Sequence, residues 1–305
     1  MKPAPFDYHR PDSLDEALSL LAEHEGAKPL AGGQSLIPAM NFRLATPSVL
    51  VDLNRIPELA FISGTDTSLK IGGMTRHRAL EHSEVVMRRV PLLHEAMPHI
   101  AHLAIRTRGT LGGSLAHADP AAELPAVMVA LDATIGVRSA AGTRRIAADD
   151  FFTGLFSTAL EPGELVVDVE IPRVADADTR QPRRSADGAK AGHASAFAEV
   201  SRRHGDFALA GVAVSVSLDD RGRCADARIV LFSVGDRPMV AATAAKALVG
   251  ETPSPEAIRA AAEAAASQDI DPTSDIHASA EYRRQLARVL TRRTLERAFA
   301  AWTRA

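Results

Sequence analysis

The chain has 305 residues, 46% hydrophobic and 24% charged, enough for two or more compact units and unlike a disordered chain. Its 35 Lys and Arg against 38 Asp and Glu leave a net charge of −3, which argues against a nucleic-acid binder, and no run of about 18 apolar residues is present to span a membrane as a helix. A single cysteine, Cys224, excludes an intrachain disulfide, a four-thiolate zinc site and an iron–sulfur cluster held by this chain. The N-terminal segment turns polar soon after Phe6 and lacks the apolar core of a signal peptide, so a cytoplasmic location is expected.

In chain order, Ser13 with Glu16 forms a capping box, and Leu14, Ala17, Leu18 and Leu21 follow at helical spacing, predicting an amphipathic helix that stops near Gly26. A short strand through Pro29, Leu30 and Ala31 runs into Gly32-Gly33-Gln34-Ser35, with Ser35 placed to cap a helix from Leu36 and another strand at 49–53. These make a β-α-β-like first unit over 1–53. A second unit, 54–175, holds a strand at 68–71, helices from Thr75 and Leu92, and a tight loop at 110–114. It continues with a helix opened by Asp119 and Pro120 and strands at 134–138 and 165–171. Composition turns sharply polar over 173–194, so 176–194 is expected to be a linker or mobile loop. In the last unit, 195–305, strand-like runs at 195–201, 207–218 and 227–234 predict an antiparallel sheet, and Ala-rich segments at 240–249, 255–267 and 279–302 predict helices. The fold class expected is α+β.

Several common sites are excluded. There is no G-x-G-x-x-G turn and no P-loop; His94-Glu95 has Pro98 where a zincin helix needs its second histidine; and Gly112-Gly113-Ser114 lacks the second glycine of a nucleophile elbow. Six of the 11 histidines lie between His77 and His117, without carboxylates or cysteines at ligand spacing, and are expected on solvated or partner-facing helices. Cys224, beside a turn-like 219–222, is expected to be a tolerated loop thiol. No catalytic side chain and no metal ligand is assigned. What stands out is a pair of diglycine loops, Ala31-Gly32-Gly33-Gln34-Ser35 and Thr110-Leu111-Gly112-Gly113-Ser114. Adjacent glycines let the backbone curl into a nest of N–H donors for a pyrophosphate, with Gly33 and Gly113 expected at positive φ. Each alone is ordinary turn material; as a pair after strands they point to a dinucleotide site. Gly72-Gly73 is expected to be a turn without a ligand.

Around these residues the sequence resembles the FAD-binding medium subunit of the molybdenum hydroxylases, the xanthine and carbon monoxide dehydrogenase group. The matching stretches are AGGQSLIPAMNFRLATPSVLVDLNRIPEL from Ala31, IRTRGTLGGSLAHADPAAELPAVMVALDA from Ile105 and EVSRRHGDFALAGVAVSV from Glu199. The resemblance implies a two-subdomain FAD-binding region followed by a C-terminal domain with an antiparallel sheet and helices. It implies that Ala31, Gly32, Gly33, Gln34 and Ser35 hold one side of the FAD pyrophosphate and Thr110, Leu111, Gly112, Gly113 and Ser114 the other. Glu123 matches an acidic position that contacts the sugar-like portion of the flavin. Val166 matches a position whose backbone lies against the cofactor, and Asp206 and Phe207 fall near the isoalloxazine ring. Ser114 replaces the asparagine common after this diglycine, and Ala198 stands where the xanthine-oxidising branch carries lysine. The implied role is electron transfer with noncovalent FAD. Electrons would come from a small subunit bearing two [2Fe–2S] clusters and leave to an external acceptor, and a large subunit would carry the molybdenum cofactor, in a dimer of heterotrimers. The competing reading is an independent noncovalent FAD oxidase or dehydrogenase on the same fold.

Overall fold

A computed structural model describes residues 2–172, 183–184 and 190–303. The first unit comprises β1 (Asp7–His9), α1 (Leu14–Glu23), β2 (Lys28–Leu30), α2 (Leu36–Asn41) and β3 (Val49–Asp52). Ser13 caps α1 by accepting from the Glu16 N–H at 3.2 Å, while Glu16 reaches back to the Asp12 N–H at 3.1 Å. The apolar stripe Leu14, Ala17, Leu18 and Leu21 is buried as its spacing requires, packed with Val49 and Val51 of the parallel sheet β1-β3-β2.

The second unit begins with β4 (Ile62–Gly64), β5 (Ser68–Gly72), α3 (His77–Glu81), α4 (Glu84–Arg89), α5 (Pro91–Ala96) and α6 (Leu103–Arg106). After these come α7 (Leu111–His117), α8 (Glu123–Ala130), β6 (Thr134–Ser139), β7 (Gly142–Ala147) and α9 (Ala148–Phe151). A hairpin of β8 (Phe152–Gly154) and β9 (Ser157–Thr158) precedes β10 (Leu165–Pro172). The sheet β4-β5-β10-β6-β7 is antiparallel throughout. Its central strand β10 joins two cores: Leu165 and Val167 pack with the first unit, and Val166, Val169 and Ile171 with the second. Every residue of α8 is buried, so this helix is the spine of the second unit.

Two helix starts differ from expectation. The segment 110–114 is not a loop but the beginning of α7, capped by Thr110. Asp119 does not open α8; its carboxylate accepts the Ala121 N–H at 2.9 Å and its carbonyl the Ala122 N–H at 3.0 Å. Because α7 ends on Ala118 in the left-handed region (φ 49°), the Asp119 turn is needed to redirect the chain before Glu123.

The remaining elements are β11 (Arg183–Arg184), β12 (Lys190–Ser201), β13 (Ala208–Leu218), β14 (Cys224–Phe232), β15 (Met239–Val240), α10 (Ala242–Lys246), α11 (Pro255–Ser267) and α12 (Ala280–Thr303). The strands form one antiparallel sheet in sequential order. Since β12 starts at Lys190, the last residues of the expected linker belong to this sheet; 173–182 and 185–189 lie outside the described residues. One face, with Val212, Val214, Ile229 and Leu231, packs on α10–α12, and the other offers Phe197, Val230 and Phe232 to the second unit. Burial on both faces explains the nearly unbroken apolar run of β13. Cys224 opens β14 fully buried rather than sitting in a loop, and burial, then the nearby Asp226 charge, push its thiol up to about 11, so it is chemically quiet. Among the described residues no helix is long and apolar enough to cross a membrane.

Candidate cofactor site

The Gly32-Gly33 loop leaves β2 at the C-terminal end of the parallel sheet and lines a cleft of about 350 Å³. Gly33 has φ +73°, which the turn requires and other residues adopt at a cost. At Gly32 a Cβ would run into the carbonyl of Arg108, so absence of a side chain lets this loop lie directly on the 108–109 backbone. The N–H groups of Gly32, Gly33, Gln34 and Ser35 find no acceptor among the described residues. They are a set of free donors on the wall of a cleft. Ser35 does not cap α2 with its side chain; the Ile37 N–H is accepted by the Gly33 carbonyl at 3.2 Å instead.

The second diglycine segment works differently from the expected nest. Its N–H groups are already used: Leu111 donates to the Thr75 carbonyl (3.0 Å), Gly112 to the Gly73 carbonyl (2.8 Å), Gly113 to the Thr110 hydroxyl (3.2 Å) and Ser114 to the Thr110 carbonyl (3.1 Å). Gly113 is helical, not at positive φ. Gly112 allows backbone-to-backbone contact, since a Cβ there would fall 2.9 Å from the Gly73 oxygen, and a Cβ on Gly73 would strike the carbonyl of Val166. Gly73 is thus a structural junction between α7 and β10, and Val166 is its β10 partner. The two diglycine segments do meet: a Cβ on Gly113 would lie 3.3 Å from that of Ala31.

A polar network that the sequence reading missed fixes this meeting. Asn54 donates to the Ala31 carbonyl at 3.0 Å and to Asp52, which also accepts from the Tyr8 hydroxyl. Arg76 donates both to Asn54 and to the Arg108 carbonyl, bridging the two segments. Burial opposes ionisation of Asp52, but the hydrogen bonds from Tyr8 and Asn54 prevail and hold its carboxyl below the usual range. Arg108 lines the cleft, exposed, with no carboxylate partner for its guanidinium among the described residues. His77, expected on a solvated face, is instead 3% exposed, its Nε2 2.9 Å from the Thr110 oxygen and 3.0 Å from the Ser114 hydroxyl. Burial, with Arg106 and Arg76 nearby, pushes it down to about 4 and keeps it neutral. Only contact across 22 to 37 residues of sequence reveals these roles.

The other expected residues lie farther along the same body. Glu123, the first residue of α8, is 7% exposed; burial, then the negative charge of Glu199, push it up to about 8. Glu199 on β12 meets His99 Nδ1 at 3.5 Å. Asp206 and Phe207 occupy the turn between β12 and β13, where a Cβ on Gly205 would lie 2.6 Å from His102, so the turn is seated on the loop leading into α6. Phe207 is 69% exposed and is not a core residue.

Free N–H donors, an unpaired guanidinium and apolar walls from Leu30, Ile37 and Pro38 match what an adenine–flavin dinucleotide presents: an anionic diphosphate between flat apolar groups. The residues fit FAD. Residues 4–174 match the family model described as the FAD binding domain in molybdopterin dehydrogenase, and 195–298 match the CO dehydrogenase flavoprotein C-terminal domain. The chain therefore belongs to the FAD-binding medium-subunit family of the molybdenum hydroxylases, and it is an oxidoreductase subunit. It is similar to the 6-hydroxypseudooxynicotine dehydrogenase complex subunit alpha of Paenarthrobacter nicotinovorans, 44% identical over 98% of this chain and 96% of that one. It is 40% identical to the carbon monoxide dehydrogenase medium chain of Afipia carboxidovorans over 98% of each. Among solved structures, a carbon monoxide dehydrogenase from Hydrogenophaga pseudoflava superposes with a TM-score of 0.91 at 37% identity, covering 99% of this chain and all of the other.

Proposed function

We propose that this chain is the electron-transfer subunit of a heteromeric molybdenum hydroxylase, fed by a [2Fe–2S] subunit and delivering electrons to an external acceptor. A large molybdenum-bearing subunit then oxidises the organic substrate, and the assembly is a dimer of heterotrimers. The observation carrying this reading is the cleft wall at 32–35, with its free N–H donors, inside a chain that matches the family end to end.

FAD, when bound, supplies the conversion between one-electron and two-electron transfer. The chain holds and orients it. Gly32, Gly33, Gln34 and Ser35 present the donors for one side of the diphosphate, Ala31 leads the chain into that loop, and Arg108 adds positive charge. Thr110, Leu111, Gly112 and Gly113 bring α7 close, leaving the Ser114 hydroxyl as the donor of that segment. Glu123, neutral in its buried position, offers both a donor and an acceptor to sugar-like hydroxyls, and Val166 sets its β10 backbone against Gly73 at the foot of α7. Phe207, exposed beside Asp206, is free to cover the isoalloxazine face and exclude water. FAD is held noncovalently, since no linking residue is assigned; exposed His117 and His204 are the side chains that would provide one. The test is native mass spectrometry of the complex with metal and flavin analysis. Two copurifying chains, carrying molybdenum and iron–sulfur clusters, and flavin released by acid denaturation are expected. A chain that purifies alone with a bound flavin and its own substrate turnover would move the assignment to an independent flavin enzyme.

A further inference from the structure

We propose that His77 is a positioning residue that frees the hydroxyl of Ser114 to donate to the phosphate of the bound dinucleotide. The inference rests on the FAD reading above and concerns a residue outside both diglycine segments. It starts from acceptor arithmetic. The Thr110 carbonyl can only accept, so the His77 nitrogen 2.9 Å away must carry the proton. That fixes the Nε2–H tautomer and leaves Nδ1 with a lone pair. Nδ1 is buried without a partner, and it lies against Gly109, where any side chain would crowd it. The opposite tautomer would bury an N–H without an acceptor and face one lone pair with another, a worse arrangement.

A serine in a helix ordinarily turns its hydroxyl back onto the carbonyl four residues earlier. For Ser114 that carbonyl belongs to Thr110, and it already accepts the Ser114 N–H at 3.1 Å and the His77 N–H. The same Nε2–H, 3.0 Å from the Ser114 oxygen, occupies the acceptor side of the hydroxyl. The hydroxyl proton is therefore left to point away from the helix, on a half-buried residue that follows Gly113, the position that meets Ala31 of the cleft wall. Because the N–H groups of this segment are spent internally and the Thr110 hydroxyl is buried where it caps α7, that proton is the accessible one the segment has to offer an anion.

The test measures FAD dissociation constants of the full chain by flavin fluorescence for the wild type and for Ser114→Ala, His77→Leu, His77→Gln and the double variant His77→Leu/Ser114→Ala. Each of Ser114→Ala and His77→Leu is expected to weaken binding about tenfold, the value of one hydrogen bond to a charged group. The double variant is expected to bind no more weakly than the weaker single one, within about twofold. His77→Gln, which keeps a donor near the Nε2 position, is expected to recover most of the affinity. Losses that multiply in the double variant, or an unchanged affinity in His77→Leu, overturn the proposal. Nitrogen-15 spectra of the wild-type imidazole test it without any variant: an Nε2–H tautomer is expected, and an Nδ1–H tautomer overturns it even if His77→Leu fails to fold. A wild-type chain that takes no FAD would overturn the cofactor reading as well, whereas full affinity in Ser114→Ala would overturn this inference alone.

Discussion

Glu123 and His77 are ionisable groups that burial holds neutral, and they tilt stability in opposite directions with pH. The folded state binds the Glu123 proton more tightly than the unfolded chain does, its pKa rising from 4.5 to about 8. The penalty for burying it is absent below the unfolded value, grows through the interval and is complete above about 8. His77, lowered to about 4, instead costs stability as pH falls below its ordinary 6.5. Replacing Glu123 with Gln is therefore expected to leave the melting temperature of the cofactor-free chain unchanged near pH 4 and to raise it by several degrees, on the order of 5 °C, at pH 8. Melting curves across that range check it; a rise independent of pH would mean the carboxyl is not held neutral. The glycines separate in the same way. Gly33→Val should strip FAD from the purified chain by forcing a branched side chain to φ +73° against Ile37 and Leu30, 3.2 Å away. Gly113→Val should also lower FAD content, because a Cβ there lies 2.7 Å from the Thr110 hydroxyl that caps α7. Gly73→Val should lower the melting temperature more than the flavin content, since it separates α7 from β10 rather than filling the cleft. Equal flavin loss at all three positions would undo this assignment.

Among the elements, those with a simple period were legible. The stripe of α1, the Ser254-capped α11 at Pro255–Ser267 and the long apolar strands β13 and β14 follow from spacing, because burial of one face or both decides the structure there. The segment at 110–114 was misread because its composition is that of a turn. What makes it helical is tertiary: the Thr110 cap, the His77 bonds and the Gly73 carbonyl that accepts from Gly112. The diglycine pair was legible as a site, but not that the donors of one member are spent while those of the other are free. Nor do Asn54, Arg76 and Arg108 carry a local signature; an isolated arginine is ordinary surface material until the distant Gly32 loop lies on its backbone. This division yields a test at the level of the helix. Thr110→Ala removes the cap and should cost about 1 kcal/mol of stability, with weaker FAD binding as α7 loosens, and Thr110→Ser should restore both. Thermal melts paired with flavin titration check it; a Thr110→Ala chain with unaltered FAD affinity would show that the α7 start does not set the cofactor site.

At the scale of the whole molecule, the C-terminal sheet and the FAD-binding units share a core rather than meeting at a hinge. Phe197 stacks on Phe232 at 5.7 Å between ring centres within the same cluster as α5 and α8, and Glu95 on α5 accepts from the Phe197 N–H at 3.1 Å while pairing with Arg297 of α12 at 2.7 Å. The turn carrying Asp206 and Phe207 is held on that shared body, with Phe207 outward. A chain built this way can hold a flavin firmly, but it contains little with which to oxidise an organic molecule. Its one cysteine is buried and raised to about 11, no cluster of metal-ligating side chains occurs among the described residues, and the cleft wall at 32–35 is occupied with phosphate recognition on the present reading. On the function proposed above, a cluster-bearing neighbour delivers the electrons. The isolated FAD-loaded chain is expected to reduce or oxidise small artificial dyes, yet to show no bleaching of its flavin when mixed anaerobically with the organic substrate of the complex. Bleaching should appear only after the iron–sulfur and molybdenum subunits are added, and Glu95→Ala, which unlinks α5 from β12 and α12, should slow that reduction by displacing the Phe207 turn. Stopped-flow absorbance on the single chain and on the reconstituted complex makes the comparison. Rapid substrate-driven reduction of the chain alone would mean that it carries its own substrate site and would place it among independent flavin dehydrogenases.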